Sequence, residues 1–221
     1  MERLKLYFSY FKNKILKKYE SKKAQSVIDT EEIKEEIWEA DFSKKEKARF
    51  IEETGDGYQS LFEENLDGKH SYSLELKRKH LYAWALNPLF RYKDFVLDAE
   101  IELPVFTDNF FPEENTSAGY CAAGFVFRHI SDKAFYSLLI SDKGWIRLEA
   151  VVNSTPMPIL GWTKPLTDID SSKFKIKLIC AGTSITVLVN NTWLGKFDSD
   201  IVQAAGKIGF AAQNWEDYSS A

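Results

Sequence analysis

Lys173-Phe-Lys-Ile-Lys-Leu-Ile-Cys180 decides the fold. In an extended chain Phe174, Ile176, Leu178 and Cys180 fall on one side and Lys173, Lys175 and Lys177 on the other, the two-residue period of a strand with one buried and one wet face. Working outward, the same alternation recurs between turn signals. Residues 134–140 and 145–152 flank the loop Ser141-Asp-Lys-Gly144, and residues 174–181 and 184–189 flank Ala181-Gly-Thr183, so each pair reads as a hairpin. Asn190-Asn191 turns the chain again, and Gly206-Lys-Ile-Gly-Phe-Ala-Ala-Gln-Asn-Trp215 closes the series. Short strands between turn residues predict a mainly β fold, a two-sheet antiparallel β-sandwich over residues 38–221.

The chain has 221 residues, 44% of them hydrophobic, enough to bury one full core with an appendage. Residues 1–50 carry 13 Lys and Arg against 10 Asp and Glu, leaving 16 against 23 in the remainder. A weakly acidic sandwich lacks the clustered positive charge that grips a phosphate backbone, so nucleic acid is not an expected partner. Cys121 and Cys180 each lie in an apolar strand pattern and read as buried thiols, with a disulfide between two strands as the alternative. Three histidines and no paired cysteines give no zinc pattern.

Before the sandwich, Leu4, Tyr7, Phe8, Phe11, Ile15 and Tyr19 recur at helical spacing, with Lys5, Lys12, Lys14, Lys17 and Lys18 mostly opposite. Residues 1–37 are therefore expected to form an N-terminal amphipathic helical segment, docking its aromatic stripe on protein or lying over residues 4–19 in an anionic membrane interface. Asp29-Thr-Glu-Glu32 offers a cap for a second helix over residues 30–38. The segment lacks the apolar core and small-residue cleavage site of a secretory leader, and no stretch is long enough to span a bilayer, which points to a cytoplasmic or membrane-associated protein.

Five elements carry a family resemblance: Lys93-Asp-Phe-Val-Leu-Asp-Ala-Glu-Ile-Glu102, Ala123-Gly-Phe-Val-Phe-Arg128, Phe135-Tyr-Ser-Leu-Leu-Ile140, Val189-Asn-Asn-Thr-Trp193 and Gly206-Lys-Ile-Gly-Phe210. Over residues 38–215 they resemble the concanavalin A-like lectin/glucanase superfamily, and within it the domain family named after 3-keto-disaccharide hydrolases, with laminin G-like relatives. The resemblance implies a jelly-roll sandwich. Because turns and strand patterns carry it, it implies a fold more than an activity.

Two strands hold candidate chemistry. Asp98, Glu100 and Glu102 project from one side of a single strand, which resembles the acidic strand of the superfamily's glucanases, where one carboxylate attacks and another protonates the leaving oxygen. The order Asp-x-Glu-x-Glu departs from the glucanase patterns, and alternating acids on a wet sheet face are ordinary. Trp145, Arg147 and Glu149 share a face of another strand and offer an aromatic platform with directional hydrogen bonds, the two components of sugar recognition. Arg128, Tyr136, Trp84 and Trp162 are expected to join them if their strands are neighbours, and Gln213 to reach a ligand from the last strand; the competing reading has the aromatics filling or covering the sandwich. No cofactor is expected. Superfamily members sometimes bind calcium in loops such as residues 106–117, but the acids there lack a ligand spacing.

The sequence thus points to a non-catalytic recognition module that binds a carbohydrate or a protein partner through one sheet face. A glycoside-processing hydrolase of the same superfamily and a structural interaction domain of a larger multidomain protein are the alternatives.

Overall fold

In the computed structural model the described residues form fifteen strands arranged in two antiparallel sheets. The structure describes residues 4–15, 36–40, 42–44, 49–64, 68–89, 91–104, 119–165, 169–170 and 172–215. In chain order the strands are β1 (Leu4–Ile15), β2 (Glu36–Ala40), β3 (Glu53–Gly55), β4 (Tyr58–Glu64), β5 (His70–Leu76), β6 (Tyr82–Leu86), β7 (Phe95–Glu102), β8 (Cys121–Ser131), β9 (Ala134–Ser141), β10 (Ile146–Val152), β11 (Thr155–Thr163), β12 (Lys173–Ala181), β13 (Ser184–Val189), β14 (Thr192–Asp198) and β15 (Lys207–Asn214). A nine-stranded sheet runs β14-β13-β12-β7-β1-β5-β4-β3, with β2 also paired to β1, and a six-stranded sheet runs β11-β10-β9-β8-β15-β6.

The alternation read from β12 is borne out residue by residue: Phe174, Ile176, Leu178 and Cys180 are buried, while Lys173 and Lys175 are exposed. Opposing rows from the two sheets close the core. Phe210 of β15 stacks on Phe50 with ring centroids 4.9 Å apart and lies 6.0 Å from Tyr72 of β5, and Phe95 of β7 meets Phe127 of β8 edge-on at 6.1 Å. Each such ring removed from water contributes about 1.5–3 kcal/mol. Cys121 and Cys180 are both buried free thiols, and burial pushes the Cys180 thiol up to about 12. Both expected hairpins form as β9–β10 and β12–β13, and Asn190-Asn191 joins β13 to β14 with both residues at positive φ (49° and 65°), the backbone that a two-residue hairpin turn needs.

The N-terminal segment departs from expectation. Leu4–Ile15 is a strand, not a helix, and occupies the middle of the nine-stranded sheet between β7 on one side and β5 and β2 on the other. Glu36–Ala40 is also a strand where a second helix was expected; the rest of that segment, residues 16–35, lies outside the described residues. The cause is tertiary pairing overriding a local period. A bulge between Phe8 and Tyr10 shifts the register, so that Phe8, Phe11 and Ile15 stand opposite Ile101, Ala99 and Phe95 of the buried row of β7. Neither the docking helix nor the interfacial helix survives this finding.

Candidate functional site on the outer face of the six-stranded sheet

The two outer faces of the sandwich differ in chemistry. On the nine-stranded sheet Asp98, Glu100 and Glu102 of β7 lie beside the lysines of β12: Lys173 Nζ is 2.7 Å from Glu100 and 4.0 Å from Glu102, Lys175 Nζ 3.4 Å from Glu100, and Lys177 Nζ 3.3 Å from Asp98. This is a charge-paired ladder on a wet face.

On the six-stranded sheet the outer face is apolar and aromatic. Backbone register aligns Arg147, Leu139, Gly124, Ala211 and Trp84 in one row across β10, β9, β8, β15 and β6, with Glu149, Ser137, Val126, Gly209 and Leu86 in the next. The middle of the face is a floor of small side chains, and Ala122, Val126 and Ala211 are fully buried although they point away from the core. Their cover consists of half-buried aromatics, Tyr82 and Trp84 from β6, Trp215 just past the end of the neighbouring β15, and Trp162 from β11 at the opposite edge. The Tyr82 hydroxyl donates to Ser137 Oγ at 2.8 Å, passing diagonally over the Gly124–Ala211 pair. Their strands β6 and β9 are three spacings apart, about 14 Å in a flat sheet, further than these two side chains reach, so the sheet is concave on this side.

Arg147 and Glu149 stand at one flank. They form a salt bridge through Arg147 Nη2 and Glu149 Oε2, and the guanidinium lies 5.9 Å from the centroid of the Trp162 ring, which meets Trp215 edge-on at 5.5 Å. Burial pushes the Glu149 carboxyl above its ordinary range, and the adjacent Arg147 opposes the shift. At the other flank Trp84 packs 5.3 Å from Tyr82, 5.3 Å from Phe135 and 5.8 Å from His129. The result is an aromatic layer drawn over a floor of small side chains, with the Arg147–Glu149 ion pair at its rim, so that a ligand on this face would meet the outer edges of the indoles and the Arg147 guanidinium.

Of the residues singled out from sequence, the face brings together Trp84, Arg147, Glu149 and Trp162, and the register sets Gln213 between Tyr82 and Ala122. Trp145 is half-buried in the turn before β10, its backbone N–H donating to Ser141 Oγ at 3.1 Å. Tyr136 points into the core, where its hydroxyl bonds Ser199 Oγ at 2.9 Å and accepts from Val202 N–H at 2.9 Å. Arg128 is fully buried and donates to the carbonyls of Lys93, Gly182 and Val202. Sequence reasoning missed Tyr82, Ser137 and Trp215. A signal was present in Tyr82-Ala-Trp-Ala-Leu86, a strand whose small residues face the core and whose large ones face outward. Among the described residues no group of three or more His, Cys, Asp or Glu is placed to hold a metal ion, and the loop considered for calcium, residues 106–117, lies outside them.

No protein-family model matches the chain. A TPR repeat-containing protein of Treponema pallidum (strain Nichols) is 42% identical over 251 aligned residues, covering 96% of this chain, and the chain spans about 30% of that relative's length. Among solved structures, carbohydrate binding module CBM66 from Bacillus subtilis is similar with TM-score 0.48 and 15% identity, over 72% of this chain and 92% of the module. The kappa-carrageenase of Pseudoalteromonas carrageenovora in complex with an oligotetrasaccharide is similar with TM-score 0.38 and 10% identity, over 79% of this chain and 72% of the enzyme.

Proposed function

We propose that this chain is a non-catalytic recognition module that binds a saccharide in the concave outer face of its six-stranded sheet. One observation carries the reading: Trp162 and Trp215 stand edge to face beside the Arg147–Glu149 pair, above a floor of small side chains. A sugar ring has an apolar C–H face that stacks on an indole and an equatorial belt of hydroxyls that need both donors and acceptors. A guanidinium beside a carboxylate supplies both. The carboxylates that would serve the hydrolase alternative, Asp98, Glu100 and Glu102, lie on the other sheet and are held by lysines, away from the aromatic layer.

The relative's name denotes a helical repeat, whereas this chain is a β-sandwich. We infer that such proteins join a sandwich of this kind to a helical-repeat part, the sandwich supplying recognition and the repeats assembly.

A glycan array probed with the intact chain tests the proposal, followed by calorimetry of Trp162→Ala and Arg147→Ala on the tightest glycan. Each substitution is expected to weaken binding roughly tenfold or more, the loss of about 1.4 kcal/mol or more. Absence of any glycan ligand on the array, or unchanged affinity in both variants, would falsify the reading.

A further inference from the structure

A pocket of about 360 Å³ opens at the free edge of β6, on the far side of Trp84 from Ala211, where the β3–β4 hairpin of the nine-stranded sheet approaches the six-stranded one. Tyr58, Tyr82 and Trp84 supply aromatic walls, and Glu53, Asp132 and Lys207 supply charge. Four separate stretches of chain contribute these six residues: the β3–β4 hairpin, β6, the β8–β9 turn and the start of β15.

Glu53 and Asp132 each have a polar neighbour. The Tyr58 hydroxyl donates to Glu53 Oε1 at 3.1 Å, and Asp132 Oδ1 sits 3.2 Å from Nε2 of the buried His129, which itself packs on Trp84. Burial holds His129 below its ordinary range, so near neutral pH it leaves the local charge to Glu53, Asp132 and Lys207.

The size and the chemistry narrow the occupant. A volume of about 360 Å³ lies at the small end of ligand sites and suits one ring rather than a chain. Two carboxylates against one ammonium disfavour an anion, while Glu53 is engaged by the Tyr58 hydroxyl, Asp132 lies beside His129 and Lys207 shares the lining, which leaves a cation a poor match. A neutral polyhydroxylated ring meets neither objection, because each hydroxyl can donate to a carboxylate or accept from the ammonium while the ring's C–H face lies on an aromatic wall.

We propose that this pocket is a second ligand site, separate from the concave face, that binds a single neutral sugar ring. The two sites share Tyr82 and Trp84, yet the pocket's charged residues do not belong to the face. The test of the pocket therefore reads Asp132 and Lys207, residues that the face does not contain.

The test is a set of ¹⁵N–¹H NMR titrations of the intact chain with D-glucose, D-galactose, D-mannose and D-fructose, with D-glucosamine and D-glucuronate as charged controls. At least one neutral sugar should shift the backbone amides of Tyr58, Asp132 and Lys207 saturably. The double substitution Asp132→Asn and Lys207→Ala should weaken that sugar roughly tenfold or more with an unchanged melting temperature, neither side chain being a core residue. No saturable shift with any neutral sugar, tighter binding of a charged control than of every neutral sugar, or wild-type affinity in the double variant would overturn the proposal. Indole signals of Trp162 and Trp215 report the concave face in the same spectra. Shifts confined to them would sustain the face and overturn the pocket; shifts confined to the pocket would sustain it and count against the face.

Discussion

Arg128 shows how one backbone angle redirects a side chain. In strand parity it belongs with Ala122, Gly124 and Val126 on the outer face, where a reader of the sequence would seek it. Its φ of 47° lies in the left-handed region and coincides with a break in the register of β8 with both its neighbours. That bulge swings the guanidinium inside and brings His129, by parity an inner residue, against Trp84 and Phe135 on the outer side. Inside, Arg128 satisfies three carbonyls and lies 3.9 Å from Asp94, which in turn accepts from Gly182 N–H at 2.6 Å. Arg128→Ala would leave these groups unpaired in the interior, and chemical denaturation should show a loss of about 3–5 kcal/mol. Arg128→Lys should not restore it, since an ammonium cannot fork to three acceptors set in different directions. A loss within experimental error would contradict the structural role. The same bulge explains why the site was legible only in part. Arg147, Glu149 and Trp84 follow strict alternation and were readable; Arg128 obeys a backbone irregularity that no alternation reveals. Trp215 lies just past the last strand, where periodicity has no hold.

At the scale of elements, two features position the site. The first is the small floor. A Cβ added at Gly124 would sit 2.0 Å from the carbonyl oxygen of Leu138 on β9, so Gly124→Ala forces two central strands apart. It should destabilise the fold by roughly 1–3 kcal/mol, measured by urea unfolding, and weaken glycan binding with it. Unfolding at the wild-type midpoint would mean that the β8–β9 spacing is not what the floor requires. The second is β1. Its apolar positions 4, 8, 11 and 15 satisfy a helical period because the bulge between Phe8 and Tyr10 breaks a two-residue period in mid-strand, and this is why a helix was expected where a strand stands. As a middle strand it pairs on both edges, so a chain beginning at residue 36 would expose the open edges of β5 and β7. Such a chain should lose cooperative thermal unfolding and disperse poorly in NMR. A sharp native transition in the shortened chain would show β1 to be dispensable.

For the molecule as a whole, the two sheets divide the work. The nine-stranded sheet carries a lysine–carboxylate ladder on the outer side of β7 and β12. The six-stranded sheet turns aromatics outward, half-buried over a floor of small side chains. That a sandwich forms was legible in the alternation of β12 and its neighbours. Which outer face carries the site was not, because sheet membership depends on long-range pairing, such as β6 with β15, that local patterns do not encode. The most direct measurement is a crystal structure of the chain with the oligosaccharide that binds it best. Sugar density against Trp162 and the Arg147–Glu149 pair on the outer face of the six-stranded sheet is the expected result. Density on the lysine–carboxylate face, or an aromatic face empty beside a ligand bound elsewhere, would contradict it.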